Sequence, residues 1–159
     1  VISFCNANKT DKESQLALQL SDPSLGTLNY DSGLGGYRVL VAWRGAQVEL
    51  TLEASAPNQA VAAIRHGLQL LSEQSTRAAL LDEYAVNHLL ELKNTTWLGE
   101  EELPLSATEF LTKLTLESFQ VDSEGKFIFW FNDGGLFWGH TIQIDGSLSA
   151  GFYGVDILG

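Results

Sequence analysis

Tyr37, Val39, Val41 and Trp43 alternate with Arg38, Leu40 and Ala42. Beyond an Arg44-Gly45 turn, Val48, Leu50 and Leu52 alternate with Gln47, Glu49, Thr51 and Glu53. A period of two with polar residues on one side predicts a hairpin with one solvated face. Upstream, Gly26 to Tyr30 reads as a further short strand, joined to the hairpin by the flexible connection Asp31-Ser-Gly-Leu-Gly-Gly36.

The period then changes. Pro57 stands where a first-turn proline belongs, and Val61, Ile64, Leu68 and Leu71 follow at helical spacing. Gln74-Ser75-Thr76 interrupts the run, with Ser75 or Thr76 as the expected N-cap of a second helix. That helix carries Leu80, Leu81, Tyr84, Ala85, His88, Leu89 and Leu92, with Lys93 in its last turn and Asn94 as a left-handed cap. After the acidic loop Gly99-Glu100-Glu101-Glu102, Ser106-Ala-Thr-Glu109 has the form of a capping box and opens a short helix through Phe110 and Leu114.

A meander closes the chain. Strands are expected at 115–121, 126–131, 136–144 and 151–158, separated by Asp-Ser-Glu-Gly, Asn-Asp-Gly-Gly and Asp-Gly-Ser turns. Phe127, Phe129 and Phe131 point one way and Ile128 and Trp130 the other, which predicts a central strand covered on both faces. The expected fold is α+β in a single domain over residues 1–159. An antiparallel sheet, made of an N-terminal hairpin and a C-terminal four-strand meander, packs against a helical hairpin and a short third helix.

Composition fits such a domain. The chain has 159 residues, 45% of them hydrophobic and only 18% charged, which excludes a disordered chain. No apolar run is long enough for a membrane helix. Cys5 is the single cysteine, so no intrachain disulfide can form; beside Phe4 it reads as a small buried hydrophobe. The first residues lack the basic and apolar regions of an export signal, so the expected location is the cytoplasm, and Asn8-Lys9-Thr10 and Asn94-Thr95-Thr96 are then chance matches to a glycosylation pattern.

Charge changes the picture most. Twenty acids against nine bases leave −11 at pH 7. Nucleic-acid binding needs clusters of Lys and Arg and is disfavoured, whereas a basic protein partner is favoured. Glu100, Glu101 and Glu102 form one acidic run; Glu117, Asp122 and Glu124 surround the first meander turn. These six are the candidate partner-binding residues. No zinc-ligand spacing, phosphate-binding glycine loop or nucleophile elbow is present, so neither a cofactor nor a metal is expected.

The stretch Asp133-Gly-Gly-Leu-Phe-Trp-Gly-His140 is the most unusual. One reading pairs Asp133 with His140 as acid and base. Against it, Asp133-Gly134 looks like a hairpin turn, and His140 would lie about 23 Å along a strand. On that strand Leu136, Trp138, His140, Ile142 and Ile144 would share an apolar face, with Gly139 admitting close packing.

Several motifs resemble a bacterial family, the domain of unknown function 2262. They are Leu89-Leu-Glu-Leu-Lys-Asn94 with Trp97, Glu109-Phe110, Leu116-Glu-Ser118, Phe129-Trp-Phe-Asn-Asp-Gly134 and Leu136-Phe-Trp-Gly-His140. Leu25 to Asp31 and Trp43-Arg-Gly45 add a weaker likeness. Members typically carry a second aspartate where this chain has Gly135. The signature residues Asp133, Gly134, Phe137, Trp138, Gly139 and His140 are expected to be structural, and the family supplies no catalytic residues to carry over. By analogy with small acidic bacterial domains encoded beside toxins, the resemblance implies an immunity protein. The expected molecule is a non-enzymatic binder, monomeric or weakly dimeric, whose partner is a cognate basic toxin domain, with no role for nucleic acid or membrane. The alternatives are a small hydrolase-like enzyme using Asp133 and His140, or a homomeric scaffold pairing through Trp138, Trp130 and the phenylalanines.

Overall fold

The computed structural model describes the backbone of Ser3–Phe4 and all of residues 16–159; Cys5 and Asn8-Lys9-Thr10 lie outside the described residues. The fold is α+β. Among the described residues, nine strands form one sheet in sequence order: β1 (Ser3–Phe4), β2 (Gln19–Asp22), β3 (Gly26–Asp31), β4 (Gly36–Trp43), β5 (Ala46–Glu53), β6 (Thr115–Val121), β7 (Lys126–Asn132), β8 (Thr141–Ser147) and β9 (Gly151–Leu158). The alternating hairpin is β4–β5, with Tyr37 opposite Leu52 and Trp43 opposite Ala46.

The expectation of an antiparallel sheet fails at one seam. β5 and β6 run parallel, with Leu50 opposite Phe119 and Leu52 opposite Val121. Parallel neighbours require a crossover, and the helices between residues 57 and 113 supply it. Each half of the sheet is antiparallel within itself.

One face of the sheet is the core. Val48, Leu50 and Leu52 continue through Phe119 and Val121 into Phe127 and Phe129, then Ile142 and Ile144. Phe119 and Phe129 stack with centroids 5.0 Å apart, and Trp43 leans on both at 5.2 and 5.3 Å. The opposite face carries Arg38, Leu40, Glu49, Gln120, Gln143 and Asp156; Leu40 is exposed, and Ile128 and Trp130 are half-buried. The expectation that β7 is covered on both sides is therefore corrected: α1 and α2 both lie on the phenylalanine side.

Helix α1 (Pro57–Ser72) begins with its proline and buries Ala60, Ala63, Ile64, Gly67 and Leu70, a stripe that leaves Val61 exposed. Small residues dominate because the helix lies close on the sheet: a Cβ on Gly67 would meet Leu52 Cδ2 at 2.7 Å. Helix α2 (Gln74–Ala85) follows with one intervening residue, Glu73, so neither Ser75 nor Thr76 is its N-cap. It passes through a π-helical turn (Val86–Leu90) into α3 (Glu91–Thr95). Leu81, Ala85, Leu89 and Lys93 repeat every four residues and are all buried. An ideal helix would rotate such a set steadily off the core; a widened turn absorbs the excess. Asn94 lies inside α3 and is no left-handed cap; the residue after α3, Thr96, stays right-handed. Helix α4 (Ala107–Lys113) opens with the expected capping box: Ser106 Oγ accepts from the Glu109 N–H, and the Glu109 carboxylate accepts from the Ser106 N–H.

A second correction concerns residues 136–144. β8 starts only at Thr141, and residues 134–139 form a loop. Leu136, Trp138 and His140 therefore share no strand face: Leu136 is buried, and Trp138 is 69% exposed.

Candidate functional site

Asp133 follows directly on β7 and is 2% exposed. Its carboxylate organises the loop. Oδ1 accepts the Gly135 N–H at 3.0 Å; Oδ2 accepts those of Phe137 at 2.7 Å and Gly139 at 3.0 Å. Burial pushes the Asp133 carboxyl up, but the bonds from Gly135, Phe137, Gly139 and His140 outweigh it and hold the group below its ordinary value. Its backbone oxygen also accepts from Leu136 N–H. Asp133-Gly134 is thus the start of a carboxylate-centred loop, not a two-residue hairpin turn.

The loop bends through positive φ at Gly134 (57°), Gly135 (83°), Trp138 (59°) and Gly139 (87°). A Cβ at Gly139 would meet nothing within 4 Å, so the glycine serves the backbone angle and not close packing. Gly135 also has free space around it and needs only its φ. Trp138 is the exception, because a large side chain at positive φ is strained. Asp133 holds the amides on either side of it, and the indole is left outside.

Phe137 turns inward and is fully buried, packing edge-on against Trp97 and Phe110. Trp97 also meets Trp138 at 4.9 Å and His140 at 5.2 Å between centroids. His140 Nδ1 donates to the Phe137 carbonyl at 2.5 Å, an acceptor-only partner that places the ring proton on Nδ1. Asp133 and His140 are close along the loop, far nearer than a strand would set them, yet each is occupied with a backbone group and they do not form an acid–base pair.

The neighbouring loop, Trp97 to Leu105, is pinned from below. Asn94 Oδ1 accepts from the Leu105 N–H, and Asn94 Nδ2 donates to the Leu105 carbonyl, both at 2.8 Å. Lys93, 1% exposed, donates to the Trp97 carbonyl at 2.8 Å and to Glu102 Oε2 at 2.6 Å. The Lys93 bond, reinforced by the Gly99 N–H, holds the Glu102 carboxyl below its usual range. Between the two loops lies a groove of about 270 Å³ walled by Glu102, Leu103, Lys113 and Gly135, with Lys93 and Leu136 among the deeper residues. Leu103 stands 82% exposed on its rim.

The six candidate acids divide. Glu100 and Glu101 are exposed beside this groove and make no ion pair with the described residues. Glu102 is committed to Lys93. Glu117 lies on β6 near the same end of the sheet, accepting from Asn132 Nδ2 at 3.4 Å. Asp122 and Glu124 sit at the opposite end of β6 and β7, about 20 Å away along the strands. There Asp122 accepts the Glu124 and Lys126 N–H groups, and Glu124 pairs with Lys126. The acids do not form one patch, and β6, flanked by β5 and β7, is no sheet edge.

His66 hydrogen-bonds to the Asp122 carbonyl, and His88 stacks on Tyr84 while bonding its carbonyl. No group of three or more His, Cys, Asp and Glu side chains among the described residues could hold a metal. A separate cleft of about 220 Å³ lies among Trp43, Leu81, Leu111 and Phe131; its only charged groups, Arg44 and Asp82, bind each other through two bonds of 2.9 and 2.8 Å. Of the residues named for a scaffold surface, Phe127, Phe129 and Phe131 are buried, Trp130 is half-buried and Trp138 is exposed.

Lys93, Trp97 and Leu103 are site residues that the sequence patterns did not single out for function. The signal for Lys93 was available: it continues the Leu81-Ala85-Leu89 spacing.

Comparison with curated proteins and with solved structures gave no match. A family model described as an uncharacterized protein conserved in bacteria (DUF2262) matches residues 22–157, which takes in both loops and every strand from β3 to β8. The match covers the Asp133–His140 loop with the rest of the domain, and the chain belongs to the bacterial DUF2262 family.

Proposed function

We propose that this chain is a non-enzymatic binding protein whose partner is a basic protein domain, and that it acts in the cytoplasm as the immunity protein of a cognate bacterial toxin. The observation that carries the reading is Trp138. Its indole is held in solvent at an unfavourable backbone angle by a buried carboxylate and leans on Trp97, which opens the loop that carries the exposed Glu100, Glu101 and Leu103. Exposed aromatic residues rimmed by charge are typical anchors of protein interfaces. The −11 net charge would steer a cationic domain toward the surface, and Glu100 and Glu101 would meet its Lys and Arg side chains. Function is then occlusion: the loops cover the partner's basic groove.

Co-expression with the toxin domain encoded beside its gene tests the reading. Growth should be rescued and a complex isolated, with affinity falling as salt rises. Trp138→Ala and the paired Glu100→Lys, Glu101→Lys change should each abolish rescue while the protein stays folded. Absence of both rescue and complex would refute the proposal.

A further inference from the structure

Among the described residues, the sheet ends in an uncovered edge strand, β9. Among the described residues β9 pairs only with β8, so its other side offers backbone N–H and C=O groups along Gly151–Leu158, interrupted by a bulge at Tyr153 where the β8 register shifts. Natural edges are usually blunted by lysine, proline or shortness. This one contains neither residue and is eight residues long, its charge being the single Asp156 and its one irregularity the bulge at Tyr153. Its core-side row, Phe152, Val155 and Ile157, is only half-buried although it packs against the core, because nothing among the described residues continues the sheet past it. From Thr141 to Gly159 the chain holds Asp145 and Asp156 and no Lys or Arg, and both acids alternate with the core row on the face away from α1 and α2. The far end of β9 pairs Leu158 with Thr141, directly after His140, so the edge runs up to the Trp138 loop.

We infer that β9 is a docking edge for an extended segment of a cationic protein, which adds as a tenth strand. Its alternate apolar side chains would complete the burial of Phe152, Val155 and Ile157, and its intervening Lys or Arg side chains would lie beside Asp156 and Asp145. A second copy of this chain is the poorer occupant, since it would bring another −11 charge to the same edge. The inference rests on the reading of the protein as a binder of basic partners and names the backbone mode by which it does so.

The probe is a synthetic peptide that matches β9 in length and alternates valine with lysine. Its control has the same sequence with every second amide N-methylated, which keeps the charge and removes the ladder. The unmodified peptide should bind and protect the amides of residues 151–158 from hydrogen exchange, and the methylated one should not. Asp156→Lys, an exposed site, should weaken binding roughly tenfold. Equal binding of both peptides, or protection elsewhere, would overturn the inference, as would protein-concentration-dependent protection of 151–158 without peptide, which identifies a second copy as the occupant. A toxin complex that forms through Trp138 while 151–158 stay unprotected would overturn the docking edge and leave the proposed function standing.

Discussion

The Lys93 ammonium lies 2.6 Å from the Glu102 carboxylate, the one buried and the other at the surface. The pair ties α3 to the rim of the candidate groove, because Lys93 also holds the Trp97 carbonyl at 2.8 Å. The two ends are unequal. Losing Glu102 leaves a buried cation with one neutral acceptor, whereas losing Lys93 releases a carboxylate that water can reach.

Lys93→Met should therefore change stability by no more than about 1 kcal/mol, since an apolar chain of similar length fills the space. Lys93→Ala, which leaves a cavity, should cost about 2–4 kcal/mol. Glu102→Gln should be more destabilising than Lys93→Met. Urea unfolding of the three variants checks the order, and a Glu102→Gln protein as stable as the parent would show that the ammonium is hydrated.

Asp133 makes a prediction about acid. Its folded carboxyl titrates below the ordinary value of 3.8, so its contribution is full above that value and is lost as pH falls through the lowered one. Asp133→Asn keeps one acceptor oxygen for three amide donors and sets an NH₂ group against the rest. A cost of about 2–4 kcal/mol at neutral pH is expected from the orphaned buried donors. Stability measured from pH 6 down to about pH 2 should fall less steeply in Asp133→Asn than in the parent. The amides of Phe137 and Gly139 should exchange faster in the variant. Parallel pH profiles would mean that the carboxylate does not hold the loop.

Trp138 separates packing from backbone strain. Alanine at this position loses the edge contact with Trp97, worth about 0.5–1.5 kcal/mol, and keeps the positive φ. Glycine loses the same contact but relieves the angle, which is worth about 1 kcal/mol. Trp138→Gly should accordingly be about 1 kcal/mol more stable than Trp138→Ala in thermal unfolding. If the two are equal, the backbone at this residue is not strained in solution.

How far the sequence could be read follows from the range of the forces involved. The β4–β5 hairpin was legible because Tyr37–Trp43 and Val48–Leu52 obey a period set by the strand itself. The α4 cap was legible because Ser106 and Glu109 satisfy each other within one turn. Leu136–His140 was misread because an apolar run resembles a strand, and nothing in periodicity shows that a side chain four to six residues back will bind its amides. The parallel β5–β6 seam depends on a crossover of about sixty residues, which no local pattern encodes. The candidate acids were legible as charge but not as partners: only packing reveals that Glu102 serves Lys93 while Glu100 and Glu101 make no ion pair among the described residues.

Gly67 tests whether α1 is seated as tightly as its small residues imply. Alanine in a helix interior is favoured over glycine by about 1 kcal/mol. At this site its Cβ would lie 2.7 Å from Leu52 Cδ2, 3.4 Å from Leu50 Cδ2 and 3.5 Å from Val121 Cγ1, and all three neighbours are fully buried. Overpacking costs about 1–3 kcal/mol, so Gly67→Ala should be destabilising by about 1 kcal/mol despite its better propensity. Shortening the obstacle reverses the sign. Leu52→Val alone should cost about 1 kcal/mol, but in that background Gly67→Ala has space and should become neutral or stabilising. Urea unfolding of the two single variants and the double variant measures the coupling directly. A simple sum of the single effects would mean that α1 shifts away from the sheet to admit the methyl group, and that the core face is looser than its contacts suggest.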